Sequence, residues 1–398
     1  MKNLIYSLVF FLSLLSALHA EDWGPWRGPR KDGISLEKNW NYKKLLKNPK
    51  PLWNFQLGKG HSAVATKGDF CYSMGNKKDR DIIYCINNKN GKEVWNYDYA
   101  CKAGNFAGPR CTPVLDDDKV YTMSRSGLVL CLNAKTGKKV WDYNVSDGKF
   151  AKLPKWGLSA SPCIEGDMVI LNAGEAGIAL NKKSGKVIWK NKAGTAGYAT
   201  PHVFMRNKKE CVAIFSSKKL FLLNLKDGKI VGDYDWVTKH DVNAATPISF
   251  DKYIFIASAY GHGGTLLDVS AKPKEVWFSQ NTQNHFSNWI YHEGYLYGCV
   301  GGTKGASISC INAKTGEFKW KELKGSEAML ATKKELIVLD KTGKLHIVQL
   351  SPKSFKSLGS VQIFNIKKST YWTMPILSNG KLYFRESSGS LLCFDVSR

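Results

Sequence analysis

The side chains of this chain best suited to hold a ligand are His61, Asn105, Arg110, Trp156, Tyr198, Asn243, Tyr260, His262, His285 and Trp372. Aromatic faces, imidazoles, amides and a single guanidinium suit a polar ligand or a peptide loop. Bond-making chemistry is harder to find. There is no Gly-x-Ser-x-Gly elbow, no His-Glu-x-x-His and no Cys-x-x-Cys pair. His262 and His285 lack the third ligand that a zinc site needs. Asp116-Asp117-Asp118 reads as a polar turn, since calcium needs six or more oxygens from converging segments. Gly261-His262-Gly263-Gly264 reads as a hairpin turn, because no helix N-terminus follows it to cradle a phosphate. No catalytic or metal-ligating residue is therefore assigned.

The candidate residues are scattered along the chain, so a repeating scaffold must gather them. That scaffold is legible in Ile86-Asn-Asn-Lys-Asn-Gly-Lys-Glu-Val-Trp95 and Leu132-Asn-Ala-Lys-Thr-Gly-Lys-Lys-Val-Trp141, with further copies ending at Trp189 and Trp320. A period in the 40s with short strands indicates a β-propeller. The expected fold is all-β, an eight-bladed propeller of four-stranded antiparallel blades. Inner strands begin near residues 61, 111, 160, 200, 245, 287, 329 and 372. Several are introduced by Thr/Ser-Pro, as in Thr112-Pro113 and Ser161-Pro162, where proline need not donate. The last copy stops after its third strand, Leu391–Asp395. The segment Pro51–Phe55 is expected to supply the fourth and close the ring, removing the free sheet edge.

The Gly of the Lys-Thr-Gly-Lys-like hairpin between third and fourth strands supplies a positive φ. The Trp four residues later lies on the outer strand, where a large ring fills the wedge between blades. Trp53, Trp95, Trp141, Trp189, Trp277 and Trp320 hold this place, and Gly232 and Leu358 replace it in two copies. In such a fold the connections between blades and the second-to-third-strand turns gather on one face around the axis. The candidate ligand residues above belong to that face. The opposite face carries Lys89, Lys92, Lys135, Lys138, Lys182, Lys183, Lys186, Lys226, Lys229 and Lys314, a surface that could meet an anionic envelope polymer or lipid headgroups.

The rest of the chain divides simply. Residues 1–20 have Lys2, an apolar run from Leu4 to Leu18 and a small residue, Ala20, before Glu21-Asp22, which reads as a secretory signal peptide. Residues 21–50 form an arm rich in Gly, Pro and Trp, with one short helical turn at Lys43–Lys47, and 51–398 form the propeller. No later segment is suited to cross a membrane, so a periplasmic or secreted monomer is expected. The formal charge is +25, carried by 50 Lys and 8 Arg. Nucleic acid is not expected as a partner, since phosphate and base readers favour the bidentate Arg fork. Of the ten cysteines, Cys85, Cys131, Cys310 and Cys393 share one slot of the repeat, as packed core residues do. Export permits disulfides, and Cys71–Cys85, Cys299–Cys310 and Cys101–Cys111 are the candidate pairs.

The unit hydrophobic–Asn/Asp-x-Lys-Thr-Gly-Lys-x-x-Trp resembles the repeat of pyrroloquinoline-quinone (PQQ) enzymes. The arm Trp23-Gly-Pro-Trp-Arg-Gly-Pro-Arg-Lys-Asp-Gly-Ile-Ser35, with Gly108-Pro-Arg-Cys-Thr-Pro-Val114, Tyr198-Ala-Thr-Pro201 and Asn243-Ala-Ala-Thr-Pro247, resembles exported bacterial PQQ-binding-like β-propeller repeat proteins. This resemblance points two ways. Quinoprotein alcohol dehydrogenases hold PQQ over the axis with a Trp below, a disulfide of adjacent cysteines above, and calcium. The eight-bladed scaffold lipoprotein of outer-membrane β-barrel assembly has no catalysis. This chain has no adjacent cysteines and no lipid-anchor Cys. The expected function is therefore a non-enzymatic binding or scaffold propeller of the cell envelope, with a protein or envelope-polymer partner and no cofactor. The alternatives are a PQQ- and calcium-dependent dehydrogenase and a carbohydrate-binding protein.

Overall fold

The computed structural model describes residues 21–302, 305–366 and 368–398; the expected signal peptide lies outside them. Short strands with alternating burial pair in chain order, each with the next. Blade 1 consists of Ala65–Lys67, Phe70–Lys77, Arg80–Asn87 and Glu93–Ala100. Equivalent four-stranded sheets begin at Val114 (blade 2), Cys163 (blade 3), His202 (blade 4) and Ile248 (blade 5). Blades 6 and 7 form one continuous sheet. Its strand Phe318–Thr332 is the outer strand of blade 6 and runs on as the inner strand of blade 7. In blade 8, Trp53–Gln56 pairs antiparallel with Ser390–Asp395, setting Trp53 opposite Cys393 and Gln56 opposite Ser390. The described residues thus form eight four-strand units, and the sequence-distant ends are joined by this last pairing.

The repeat's tryptophans lock neighbouring blades. Each indole Nε1 donates to a backbone carbonyl of the next blade's hairpin: Trp53 to Asn88 (3.0 Å), Trp95 to Ala134 (2.9 Å), Trp141 to Lys182 (2.9 Å), Trp189 to Leu225 (3.0 Å) and Trp277 to Ala313 (3.1 Å). The same rings cover the hairpin glycines. A methyl at Gly137 would lie 2.7 Å from Cδ2 of Trp95, and one at Gly91 2.7 Å from Cγ of Trp53. With φ of +71° at Gly137, the glycine is required both for its backbone conformation and for the space the ring occupies. Each such contact combines burial of a large ring with a satisfied N–H.

Along each blade the tryptophan meets a fixed row. Cys85 stands opposite both Tyr72 and Trp95, Cys131 opposite Tyr121 and Trp141, Cys310 opposite Tyr297 and Trp320, and Cys393 opposite Tyr383 and Trp53. The shared cysteine slot is a packing slot between two rings. One expected equivalence changes. In blade 7, Gly359 rather than Leu358 faces the third strand at the tryptophan position, opposite Ile347. Leu358 is the extra residue of a bulge. That bulge recurs in the outer strands, where Val94, Val140 and Val276 sit between paired neighbours. It twists each exposed edge and discourages pairing with another chain. Where the ring is missing, other residues fill the wedge: Leu46 of the helix Tyr42–Lys47 lies over Gly359, and Pro273 lies over Gly232.

All ten cysteines are free and buried. This departs from the expected disulfides, and the register supplies a reason for one pair. Cys71 stands opposite Ile86 while Cys85 stands opposite Tyr72, so their side chains leave opposite faces of the blade. Cys299 stands opposite Ile308, a diagonal away from Cys310. Cys101 approaches Ser126 (Sγ–Oγ 3.8 Å), and Cys111 Sγ accepts from the Met123 amide (3.3 Å).

The arm crosses the axis on the face bearing the hairpins. The Trp23 carbonyl accepts from Thr66 of blade 1 and the Gly24 carbonyl from Leu115 of blade 2. Lys31 reaches Ile164 O of blade 3 at 2.8 Å. Ile34–Ser35 pairs parallel with Ala331–Thr332 of blade 7, and Ser378 of blade 8 donates to Glu21 O. Arg27 is fully buried and donates to the carbonyls of Lys31, Asp32 and Trp289. Burial lowers its pKa to about 10.

Candidate functional site

The inner strands leave an axial cavity of about 470 Å³, open on the face of the inter-blade connections. Its walls begin with a ring of Thr and Ser side chains that precede the inner strands. Ala63 N donates to Thr112 Oγ1 (2.9 Å), Thr112 N to Ser161 Oγ (2.9 Å), and Ser161 N to Thr200 Oγ1 (3.0 Å). The side chains of Thr112, Ser161 and Thr200 therefore each satisfy an amide of the preceding blade, which holds these connections at fixed spacing. At Thr246 the pattern changes: its Oγ1 accepts from Trp26 Nε1 of the arm at 3.2 Å. Trp26 lines the cavity from the arm's side and makes its floor.

Above this ring, aromatic groups from successive connections form a nearly continuous collar. Phe106 meets Trp372 at 5.8 Å between centroids, Trp372 meets Phe286 at 4.4 Å, and Phe286 meets His285 at 3.4 Å. Tyr260 follows at 5.0 Å from His285, then His240, then Trp156, then Tyr198 at 6.1 Å from Trp156. His61 stacks on Trp372 at 5.1 Å with 20° between planes. Such rings present large rigid area at low entropic cost.

The charges in the cavity are few. Arg110 donates to the carbonyls of Trp156, Asn105 and Phe106, and burial lowers its pKa to about 10. Glu327 accepts from the Tyr371 amide at 3.1 Å, yet burial raises its pKa. Burial, aided by Arg385 and Arg110, lowers His61 to about 3, and burial alone does the same for His285. Both imidazoles are neutral near pH 7 and too weakly basic to take a proton there. His61 Nδ1, His285 Nε2 and Ser287 Oγ are buried without a hydrogen-bond partner. Cys299 is a thiol raised to about 12 by burial.

The structure brings together His61, Arg110, Trp156, Tyr198, Tyr260, His285 and Trp372 around this cavity. It places three other expected residues elsewhere. Asn243 is wholly buried and bonded to the carbonyls of Ser216 and Ser217 and to the Ser258 hydroxyl. His262 packs on Trp236 at 4.3 Å. Asn105 bonds Arg110 through its carbonyl. Sequence reasoning missed Trp26, Phe106, Phe286 and Glu327. Phe106 and Phe286 share connections with chosen residues and were within its reach. Trp26 and Glu327 were not, because the arm has no repeat period and Glu327 lies within an unbroken strand. The opposite face is less bare of anions than its lysines suggest. Lys182 pairs with Asp116 at 2.7 Å, Lys89 with Asp69 at 3.4 Å and Lys314 with Asp251 at 3.7 Å.

A family model described as "Outer membrane protein assembly factor BamB" matches residues 78–322, more than half of the chain. The structure of BamB from Moraxella catarrhalis is similar at 18% identity, covering 86% of this chain and 98% of that one, with a TM-score of 0.65. Quinohemoprotein alcohol dehydrogenase from Comamonas testosteroni is similar at 12% identity, covering 94% and 80%, with a TM-score of 0.69. A europium-containing methanol dehydrogenase is similar at 13% identity, covering 91% and 89%, with a TM-score of 0.67. At these identities the structures share the fold. No curated protein matches the sequence significantly. No helix among the described residues is long and apolar enough to cross a membrane.

Proposed function

Because the chain belongs to the family described as outer membrane protein assembly factor BamB, we propose that it is a non-enzymatic propeller of the cell envelope that binds a partner polypeptide in its axial cavity. The observation that carries this reading is the aromatic collar above an ordered hydroxyl ring. It offers apolar area and a few unpartnered polar atoms, the combination that suits side chains of an inserted loop. Export through the expected signal peptide and a periplasmic or secreted location complete the proposal.

The quinoprotein alternative shares the fold, but the residues present are a poor match for its cofactor. PQQ is a flat, multiply anionic quinone that is held together with calcium. Among the described residues lining the cavity, the one guanidinium, Arg110, is already committed to three carbonyls. The one carboxylate among them, Glu327, is made less acidic by burial. No cluster of three His, Cys, Asp or Glu among the described residues is arranged to hold a metal ion. The donor set does not fit the group, and no redox step is drawn through it. A carbohydrate reading draws on the same collar. Glycan-array binding lost in Trp156→Ala or Tyr198→Ala would favour it.

Titration with PQQ and calcium, read by absorbance and melting temperature, tests the proposal. The expected result is no stoichiometric interaction. A one-to-one stabilising interaction would overturn it.

A further inference from the structure

The rim of the axial cavity differs in charge from the collar it surrounds. The inter-blade connections and the outer end of the shared strand carry Lys59, Lys102, Lys155, Lys239, Lys324 and Lys368, all exposed. None of them forms an ion pair among the described residues, unlike Lys182 and Lys89 on the opposite face. Lys155 lies 5.0 Å over the Trp156 ring, at the mouth itself. The same connections and strand end carry fewer acids, Asp147, Asp241, Glu322 and the cavity-lining Glu327, and Asp147 is engaged by Asn144. Unpaired lysines that outnumber the acids beside a large apolar opening leave a net positive potential at its rim. Inside, the collar accepts a flat or branched apolar group, and the unpartnered His61 Nδ1, His285 Nε2 and Ser287 Oγ await polar partners. Two neutral imidazole nitrogens and a hydroxyl match the amides and carbonyls of an extended backbone.

We propose that the occupant of the cavity is an acidic, extended polypeptide segment that inserts an aromatic side chain into the collar while flanking Asp or Glu residues meet the rim lysines. This inference rests on the partner-binding reading of the cavity and adds the chemistry of the partner. The collar provides affinity through the inserted ring. The rim provides encounter rate and selection, because exposed charge pairs contribute modestly to affinity but strongly to steering. A basic segment is rejected by the same lysines, and an acidic segment without an aromatic residue lacks an anchor.

The test uses the mature full chain and short synthetic peptides of matched length: acidic with Trp, acidic with Ala in its place, neutral with Trp, and basic with Trp. Affinity is measured by fluorescence anisotropy at low and high salt. The acidic Trp peptide is expected to bind best. Replacing its Trp by Ala should weaken binding about 30-fold, as for a buried aromatic anchor. Its affinity should fall as salt rises. Lys155→Glu with Lys239→Glu, both exposed and neither part of the collar, should weaken the acidic peptide and strengthen the basic one. That exchange of preference cannot arise from misfolding. Equal binding of neutral or basic peptides, no binding of any peptide, or an unchanged preference in the double variant would overturn the inference. A partner that docks in the collar through a basic or non-aromatic segment would sink this inference and leave the partner-binding function standing. A one-to-one complex with PQQ and calcium would sink both.

Discussion

The outer seams between blades and the axial cavity are built on opposite rules. At the seams the same residues recur: a Trp, its N–H on the next blade's carbonyl, and a Gly beneath the ring. In the cavity almost nothing recurs except the Thr/Ser ring. The collar takes Phe from one connection, Trp from another, His and Tyr from others. Repeated chemistry is what a closed array needs to hold its shape. Unrepeated chemistry, gathered at one place by that array, marks where the molecule does something that the repeat does not require.

Substitutions should separate the two regions. The largest effect on stability is expected at a seam. Trp141→Ala removes a ring that spans two blades and should destabilise the protein by about 3–5 kcal/mol, read by denaturant unfolding. The collar pair Trp156→Ala with Trp372→Ala should have a smaller effect on melting temperature, because both rings are only partly buried, and should abolish partner binding. If the collar pair unfolds the protein as severely as the seam variant, the contrast fails. Gly137→Ala comes next. It places a methyl against Trp95 at a positive φ and should destabilise by about 1–3 kcal/mol. The smallest effect is expected at the ring beneath the collar. Thr112→Val removes the acceptor for Ala63 N and should lose about 1–2 kcal/mol.

Acid should act on the cavity side and around the arm. His61, His202 and His285 are all held near 3 by burial, below the ordinary value of 6.5. The unfolded chain therefore binds more protons than the native state between these values. Stability from these groups is fully present above about pH 6.5 and is lost as pH falls toward 3. His285→Phe should flatten part of that slope in unfolding measured across this range. An unchanged slope would mean that the imidazole is exposed in the native state.

The seams were legible in the sequence because their signal is repeated. The Trp, the Gly four residues before it and the cysteine slot gave the blade register, and the missing fourth strand pointed to the segment containing Trp53. One equivalence slipped by a residue, at Leu358 and Gly359, because a bulge adds a position that spacing alone does not show. The cavity was legible only where topology dictates it. Knowing that connections meet on one face was enough to choose Arg110, Trp156 and Trp372. It was not enough to tell a side chain facing the axis from one turned into a blade, so Asn243 and His262 were chosen too. Trp26 escaped because its place depends on how a non-repeating arm crosses the axis. Sequence spacing also does not show which face of a blade a cysteine leaves: Cys71 and Cys85 lie on adjacent strands but leave opposite faces.

The central claim is that the unrepeated collar is a polypeptide-binding site. A peptide-display selection on the mature protein, run in parallel on the Trp156→Ala/Trp372→Ala variant, tests it most directly. A family of sequences enriched on the native collar and absent from the variant is expected, with both proteins folded. The same sequences enriched on both, or none on either, would contradict it.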